Sequence, residues 1–410
     1  MNPIRVLHFA DFHLGIDTVG PMDTETRLNG RILDYLDSLD ALVEYAIGND
    51  ADLVVFAGDA FNKHNPEPTY QREFGERIVR LASHCPLVLL VGNHDMPGAI
   101  EKASSVDIYE TLKVPNVHVG WQYENLMIET KRGNIQVTTF PYPIKSQWLS
   151  AKETAKLSSD GIKLLWKKKI SKKLKELGNG IDRDIPSVLL GHVSVSNAIY
   201  GSERPYIIGW DAEVELGDLL SPWNYVALGH LHLHQDLTNN GIDTVPVVYS
   251  GSLERVDFGE ENDAKGFVWV EIKGTDDVCF EFVEVDARPY KTLRFDFTGG
   301  VKRPTEKILE KIENTGLKSC IVRVIVDIKD EDADRIRQQD VHEALTKAGV
   351  WAIHSIQIKR IVGEHTMRLD VPVASMTQIE LLDAYFEHNE ISGSKKASLI
   401  KAAKDIMSED

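Results

Sequence analysis

The sequence predicts a two-sheet, four-layer α/β sandwich, followed by a smaller α+β unit and C-terminal helices. Three observations predict it. Short apolar runs alternate with helix-period segments through the first hundred residues, the pattern of a largely parallel sheet. Five of the apolar runs along the chain end in Asp, Asn or His. Beyond residue 287 the pattern becomes a compact β-α-β-α-β succession without such endings.

Taken in order, Arg5 to Ala10 is a strand ending at Asp11-Phe12-His13. Leu28, Ile32, Leu36, Leu39 and Val43 recur at helical spacing. Leu53 to Ala57 is a second strand, ending at Gly58-Asp59. Phe74, Ile78 and Leu81 mark another helix, and Leu87 to Val91 is a strand ending at Gly92-Asn93-His94-Asp95. Ser187 to Leu190 leads into Gly191-His192, and Tyr225 to Leu228 into Gly229-His230-Leu231-His232. Val245 to Tyr249 and Phe267 to Ile272 read as later strands of a second sheet.

Arg288-Pro289 is the expected boundary, giving domains 1–287, 288–362 and 363–410. The second contains strands Thr292 to Phe297, Ser319 to Ile328 and Ile353 to Ile361. Its helices are Pro304 to Ile312, with proline in the first turn, and Asp332 to Ala348. A linker, Gly363 to Ser375, precedes the capping-box pattern Thr377-Gln378-Ile379-Glu380. Ile379, Leu382, Tyr385 and Phe386 form one apolar stripe; Leu399, Ala403 and Ile406 form another. Roughly fifty residues cannot bury both among themselves, so the stripes pack on the body or dock on a partner.

The chain has 410 residues, 42% hydrophobic, enough for a sizeable core and two or three domains. Its formal charge of -17 argues mildly against nucleic-acid binding. The segment 145–175 runs the other way, with ten lysines against Glu153 and Asp160. It reads as an amphipathic helix, with Leu164, Leu165 and Ile170 at helical spacing, whose lysines are either solvated or in contact with DNA phosphates. Three cysteines without a C-x-x-C pair fit a reducing cytoplasm. The N-terminus runs straight into a strand, so no signal peptide is expected. No apolar stretch approaches ~18 residues, so no membrane span is expected.

The five strand endings are the ligand set for two divalent metals sharing one carboxylate. Two such ions ~3.5–4 Å apart stabilise the attacking and leaving oxygens of an in-line displacement. Oxygen and imidazole ligands suit Mn²⁺, Fe²⁺ or Zn²⁺. Asp59 is assigned as the bridge and Asn93 as a ligand. His94 is a phosphate contact or the proton donor to the leaving oxygen, with Asp95 placed to orient its imidazole. Arg255, in a Gly-rich turn, is a phosphate contact or a structural ion-pair partner of Glu254 or Asp257.

A lone histidine after a strand is more often a packing residue than a ligand. Five ordered motifs, D-x-H, G-D, G-N-H-D, G-H and G-H-x-H, argue otherwise, and across residues 5–235 they resemble the calcineurin-like metallophosphoesterase superfamily. The resemblance implies one metal on Asp11, His13, Asp59 and His232, and the other on Asp59, Asn93, His192 and His230. The segments His8 to Gly15 and Tyr249 to Glu260, with the later β-α-β-α-β unit, further resemble the SbcD/Mre-type DNA repair nucleases. That implies a capping second domain and C-terminal helices that bind an SbcC-type, SMC-like ATPase. It implies 3′-to-5′ exonuclease action on duplex ends and endonuclease action on single strands or hairpins. It also implies a homodimer within a heterotetramer, in the cytoplasm at the nucleoid. One position departs from the family. Where relatives carry a phosphate-positioning histidine after Gly-Asp-x-Phe, this chain has Asn62, followed by Lys63-His64. Asn62 and His64 are therefore candidate substrate contacts.

The expected function is a Mn²⁺-dependent DNA nuclease working with an ATPase. The competing reading is a phosphatase or small-molecule phosphodiesterase with the same metals. A scaffold with vestigial chemistry fits poorly with an intact ligand set.

Overall fold

Strands covered on both faces carry uninterrupted apolar sequence, and the runs flanking the motifs behave this way. The computed structural model describes residues 2–97, 103–201, 213–238, 245–275, 277–361, 377–388, 391 and 393–407. The linker expected over 363–375 lies outside them, as does the side chain of Ile406.

The first sheet holds β1 (Ile4–Phe9), β2 (Leu53–Phe56), β3 (Leu87–Leu90) and β4 (Val117–Gly120), with later strands at its other edge. The second holds β5 (Glu124–Thr130), β6 (Gly133–Phe140), β7 (Ser187–His192), β8 (Tyr225–Gly229), β9 (Gln235–Asp236) and β10 (Val247–Tyr249). Its order is β5-β6-β7-β8-β10-β9. β11 (Gly266–Lys273) and β12 (Asp277–Glu284) complete the first sheet, whose order is β12-β11-β1-β2-β3-β4. Thus Phe267 to Ile272, expected in the second sheet, pairs antiparallel with β1 in the first. β4, β5 and β6 go beyond the sequence expectation, because β4 and β5 are half exposed and lack a long apolar run.

Alternation divides each strand between two cores. Val6, Leu53, Val55 and Val88 point between the sheets, meeting Val137, Val188, Leu190 and Ala227 of the second sheet. Leu7, Phe9, Val54 and Phe56 point outward onto Leu36, Leu39, Phe74 and Ile78 of helices Gly30–Gly48 and Pro68–Ala82. On the far side, helix Ser159–Asn179 buries Trp166, Ile170, Leu174 and Leu177 against the second sheet. Leu164, expected on its apolar face, is 70% exposed. The result is four layers, and the motifs project from the carboxyl ends of β1, β2, β3, β7 and β8.

A third sheet is all parallel: β13 (Tyr290–Phe297), β14 (Ile321–Lys329) and β15 (Ala352–Ile361). Helices Pro304–Glu313 and Gln338–Lys347 cover one core with it. The helix expected over 332–348 is broken after Asp330–Ala333. Thr305 holds the break, its hydroxyl donating to Arg335 O at 2.9 Å and accepting from Arg337 N at 3.1 Å. Arg288 fastens this sheet to the sandwich: it ion-pairs with Asp34, and its guanidinium stacks over Trp351 at 4.1 Å. The capping box at Thr377 and Glu380 forms as the sequence suggests, opening helix Gln378–His388. No helix among the described residues is long and apolar enough to cross a membrane.

Candidate metal centre

Parallel strands that end together leave their following loops side by side. Main-chain bonds lock these loops to each other: Asp11 N donates to Gly58 O at 3.0 Å, and His13 N to Asp59 O at 3.1 Å. Tight turns then aim the side chains. Asp11, His13, Asp59 and His230 all have positive φ, at 50°, 47°, 63° and 98°. Each such non-glycine residue costs about 1–3 kcal/mol, a cost that clusters at functional sites. Two glycines allow the loops to close up. A Cβ on Gly92 would collide with the Asp59 carboxylate, and one on Gly58 would meet His192 Nδ1 at 2.5 Å.

Seven side chains converge from the five strand ends. Asp11, His13, Asp59, His192, His230 and His232 are buried, and Asn93 is partly so. Asp59 Oδ2 lies 3.4 Å from His192 Nε2 and 3.7 Å from His13 Nε2. Asn93 Oδ1 sits 2.8 Å from His192 Nε2 and 2.9 Å from His230 Nδ1. His13 and His232 oppose their Nε2 atoms at 3.0 Å, and Asp11 accepts His230 N–H at 3.0 Å. Asp59 therefore stands between the two groups the sequence assigns to separate ions.

The donor set fits divalent cations. Asp11, His13 and His232 offer ligand atoms within 4.8 Å of one another, as do Asp11, Asp59 and His192. Two imidazole nitrogens facing each other can share one proton at most, and His13 Nδ1 is buried without a hydrogen-bond partner. Among the described residues, no lysine or arginine ion-pairs with Asp11 or Asp59. The other ring nitrogens are spoken for: His192 Nδ1 contacts Ala57 O at 2.7 Å, and His232 Nδ1 contacts Glu260 Oε1 at 2.7 Å. Such outer contacts fix the tautomer and aim the free nitrogen.

The electrostatics agree. Burial works against an ionised Asp59, yet the surrounding imidazoles, His192 foremost, hold its carboxyl well below the usual range. Burial likewise opposes a charged His192, but Asp59 and Asp11 lift it to about 9. His13 is pushed far down, by burial and by neighbouring His232.

The remaining candidates divide. His94 is exposed at the mouth, its Nδ1 3.0 Å from Asn62 O and its ring 4.7 Å from that of His13. Asn62 and His64 line an open cavity of about 500 Å³ together with Asn93 and His94. Asp95 does not orient His94. Its buried carboxylate instead accepts main-chain N–H groups from Asp59, Ala60 and Gly92. Arg255 does not face the cluster: its guanidinium donates to the carbonyls of Glu260, Ala287, Arg288 and Asp263, and this replaces both the phosphate contact and the expected ion pairs. Glu260 is a residue that sequence reasoning missed. It closes the Tyr249 to Glu260 segment, but nothing in its spacing points at His232.

Residues 4–234 match the calcineurin-like phosphoesterase family. That is more than half of the 410-residue chain, and the chain belongs to this family. Among curated proteins it is similar to the SbcD subunit of nuclease SbcCD from Staphylococcus epidermidis, 25% identical over 296 residues and 71% of each chain. The SbcD subunit from Bacillus subtilis is 28% identical over 289 residues, 68% of this chain and 69% of the relative. A solved dimetal phosphatase from Danio rerio is 14% identical, with a TM-score of 0.38, covering 69% of this chain and 99% of that one.

Proposed function

We propose that this chain is a metal-dependent DNA nuclease subunit that hydrolyses phosphodiester bonds at DNA ends, partnered by an SbcC-type ATPase. One observation carries the reading: Asp11, His13, Asp59, Asn93, His192, His230 and His232 meet in one largely buried cluster rich in lone pairs and poor in protons. Asp11, His13, Asp59 and His232 would hold one cation, and Asp59, Asn93, His192 and His230 the other, with Mn²⁺ the assigned metal over Fe²⁺ or Zn²⁺. A bound pair of divalent ions offsets charge on the attacking and leaving oxygens of phosphoryl transfer.

The chain's own residues do the rest. Asp59 neutralises charge at the centre, and Asn93 brings an amide oxygen between two imidazoles. His94 reaches the open cavity, where it contacts phosphate or hands a proton to the leaving oxygen. The Asn62 carbonyl steadies its Nδ1. Asn62 and His64 contact the substrate backbone from the cavity wall.

The named relatives support DNA as substrate, in end processing and repair, with 3′-to-5′ action on duplex ends and cutting of single strands or hairpins. They also support the ATPase partner and a cytoplasmic, nucleoid-associated setting, and we add a homodimer within a heterotetramer. The third sheet is the proposed cap and the two C-terminal helices the proposed ATPase dock. In an acidic chain, Lys163 and Lys168 are solvent-facing cations without an ion pair among the described residues, and we assign them to DNA phosphates.

A duplex labelled at its 5′ ends, incubated with the purified chain and Mn²⁺ beside a generic aryl phosphodiester, tests the reading. Chelator-sensitive shortening from the 3′ ends is expected. Turnover of the small ester with the duplex left whole would favour a phosphatase or small-molecule phosphodiesterase.

A further inference from the structure

Glu260 is fully buried, and both of its oxygens are committed. Oε1 holds His232 Nδ1 at 2.7 Å; Oε2 holds Lys265 Nζ at 2.7 Å and accepts Val256 N–H at 3.0 Å. Lys265, equally buried, also donates to Ser252 Oγ at 2.9 Å and His232 O at 3.2 Å. Burial alone would raise the Glu260 carboxyl; His232 and Lys265 outweigh it and hold it at about 2.

Glu260 ends the single turn Phe258–Glu260, and the other end of that turn is gripped by the third sheet. Each of its strands supplies one residue. The Phe258 ring packs edge-on against Tyr290 of β13 at 4.7 Å and His354 of β15 at 5.0 Å, with the Arg323 guanidinium of β14 over it at 4.3 Å. The next residue, Glu261, accepts Thr292 N–H at 2.9 Å from β13. By contrast, His192 is aimed by Ala57 O, at the end of the first sheet's β2.

We infer that Glu260 is a positioning residue for His232, and that the third sheet fixes its place by gripping Phe258. The inference rests on the dinuclear reading proposed above. Its physical content is an asymmetry. A buried turn is too short and too densely bonded to absorb a shift at one end without moving the other. Releasing Phe258 therefore displaces Glu260 and frees the His232 ring, while Asn93, His192 and His230 keep their supports. Only one of the two cations should feel the change.

Manganese titration of the full chain, followed by electron paramagnetic resonance, reads this directly. The wild type should bind two Mn²⁺ with the broadened spectrum of a coupled pair. Glu260→Ala would strand the Lys265 ammonium, so the paired change Glu260→Leu with Lys265→Met is the better variant, conserving volume and removing both charges. In it, and in Phe258→Ala, one Mn²⁺ should stay tight and the other weaken by about 10–100-fold, the usual cost of losing an outer contact. The spectrum at one equivalent should become that of an isolated ion. Unchanged binding in either variant, or equal weakening of both ions, would overturn the inference. A wild type that binds no pair at all would overturn the dinuclear reading, and the inference with it.

Discussion

The Asp95 carboxylate accepts the main-chain N–H of Asp59 at 2.8 Å, tying the loop after β3 to the loop after β2. It also takes the N–H groups of Ala60 and Gly92, each at 3.0 Å, and the Ser105 hydroxyl at 2.9 Å. Burial, with the nearby Asp59 charge, pushes its carboxyl up to about 6. Asp95 thus shapes the backbone that presents Asp59 and acts on neither substrate nor His94.

Asp95→Ala orphans buried N–H groups, each costing about 1–3 kcal/mol. Urea unfolding of the metal-free variant should show a loss of at least about 3 kcal/mol. A change under about 1 kcal/mol would mean the loops are held by something else.

Asp59→Ala removes the one carboxylate that stands near both His13 and His192. It should abolish binding of both Mn²⁺ and reduce hydrolysis to background. Equilibrium dialysis settles it: an unchanged stoichiometry refutes the bridging role.

His94→Ser should keep both Mn²⁺ and slow hydrolysis by about 10²–10⁴-fold, the range for loss of a positioned acid–base group. The serine cannot span from Asn62 O to the leaving oxygen. Wild-type turnover would remove His94 from the mechanism.

His8, sealed between the sheets, contacts Tyr225 Oη at 3.0 Å and Leu228 O at 3.2 Å. Burial lowers its pKa from 6.5 to about 3. The unfolded chain therefore binds the extra proton first. The stabilising contribution of neutral His8 is fully present above pH 6.5 and is lost as pH falls toward 3. By pH 4 that loss is about 3 kcal/mol. His8→Gln should show a flatter fall in unfolding free energy between pH 6.5 and pH 4. Parallel curves for the two proteins would contradict the assignment.

Much of the site is readable in the sequence because buried parallel strands write long apolar runs that stop where the chemistry begins. Asp11, Asp59 and His192 each follow such a stop. Asp95 is misread because its bonds run to main-chain groups, which leave no side-chain pattern. Glu260 is missed because its partner His232 lies 28 positions away, across a turn. Arg255 looks like a phosphate contact until its four carbonyl partners are seen. β5 escapes notice because its sequence, Glu124–Thr130, is too polar to announce a strand. The break before Gln338 escapes notice because Thr305, which holds it, sits on a different helix.

The most direct test is an anomalous difference map from crystals of the full chain grown with Mn²⁺. The account predicts two peaks sharing the Asp59 carboxylate, one contacting Asp11, His13 and His232, the other Asn93, His192 and His230. A single peak, or two peaks with Asp59 touching only one, would contradict it.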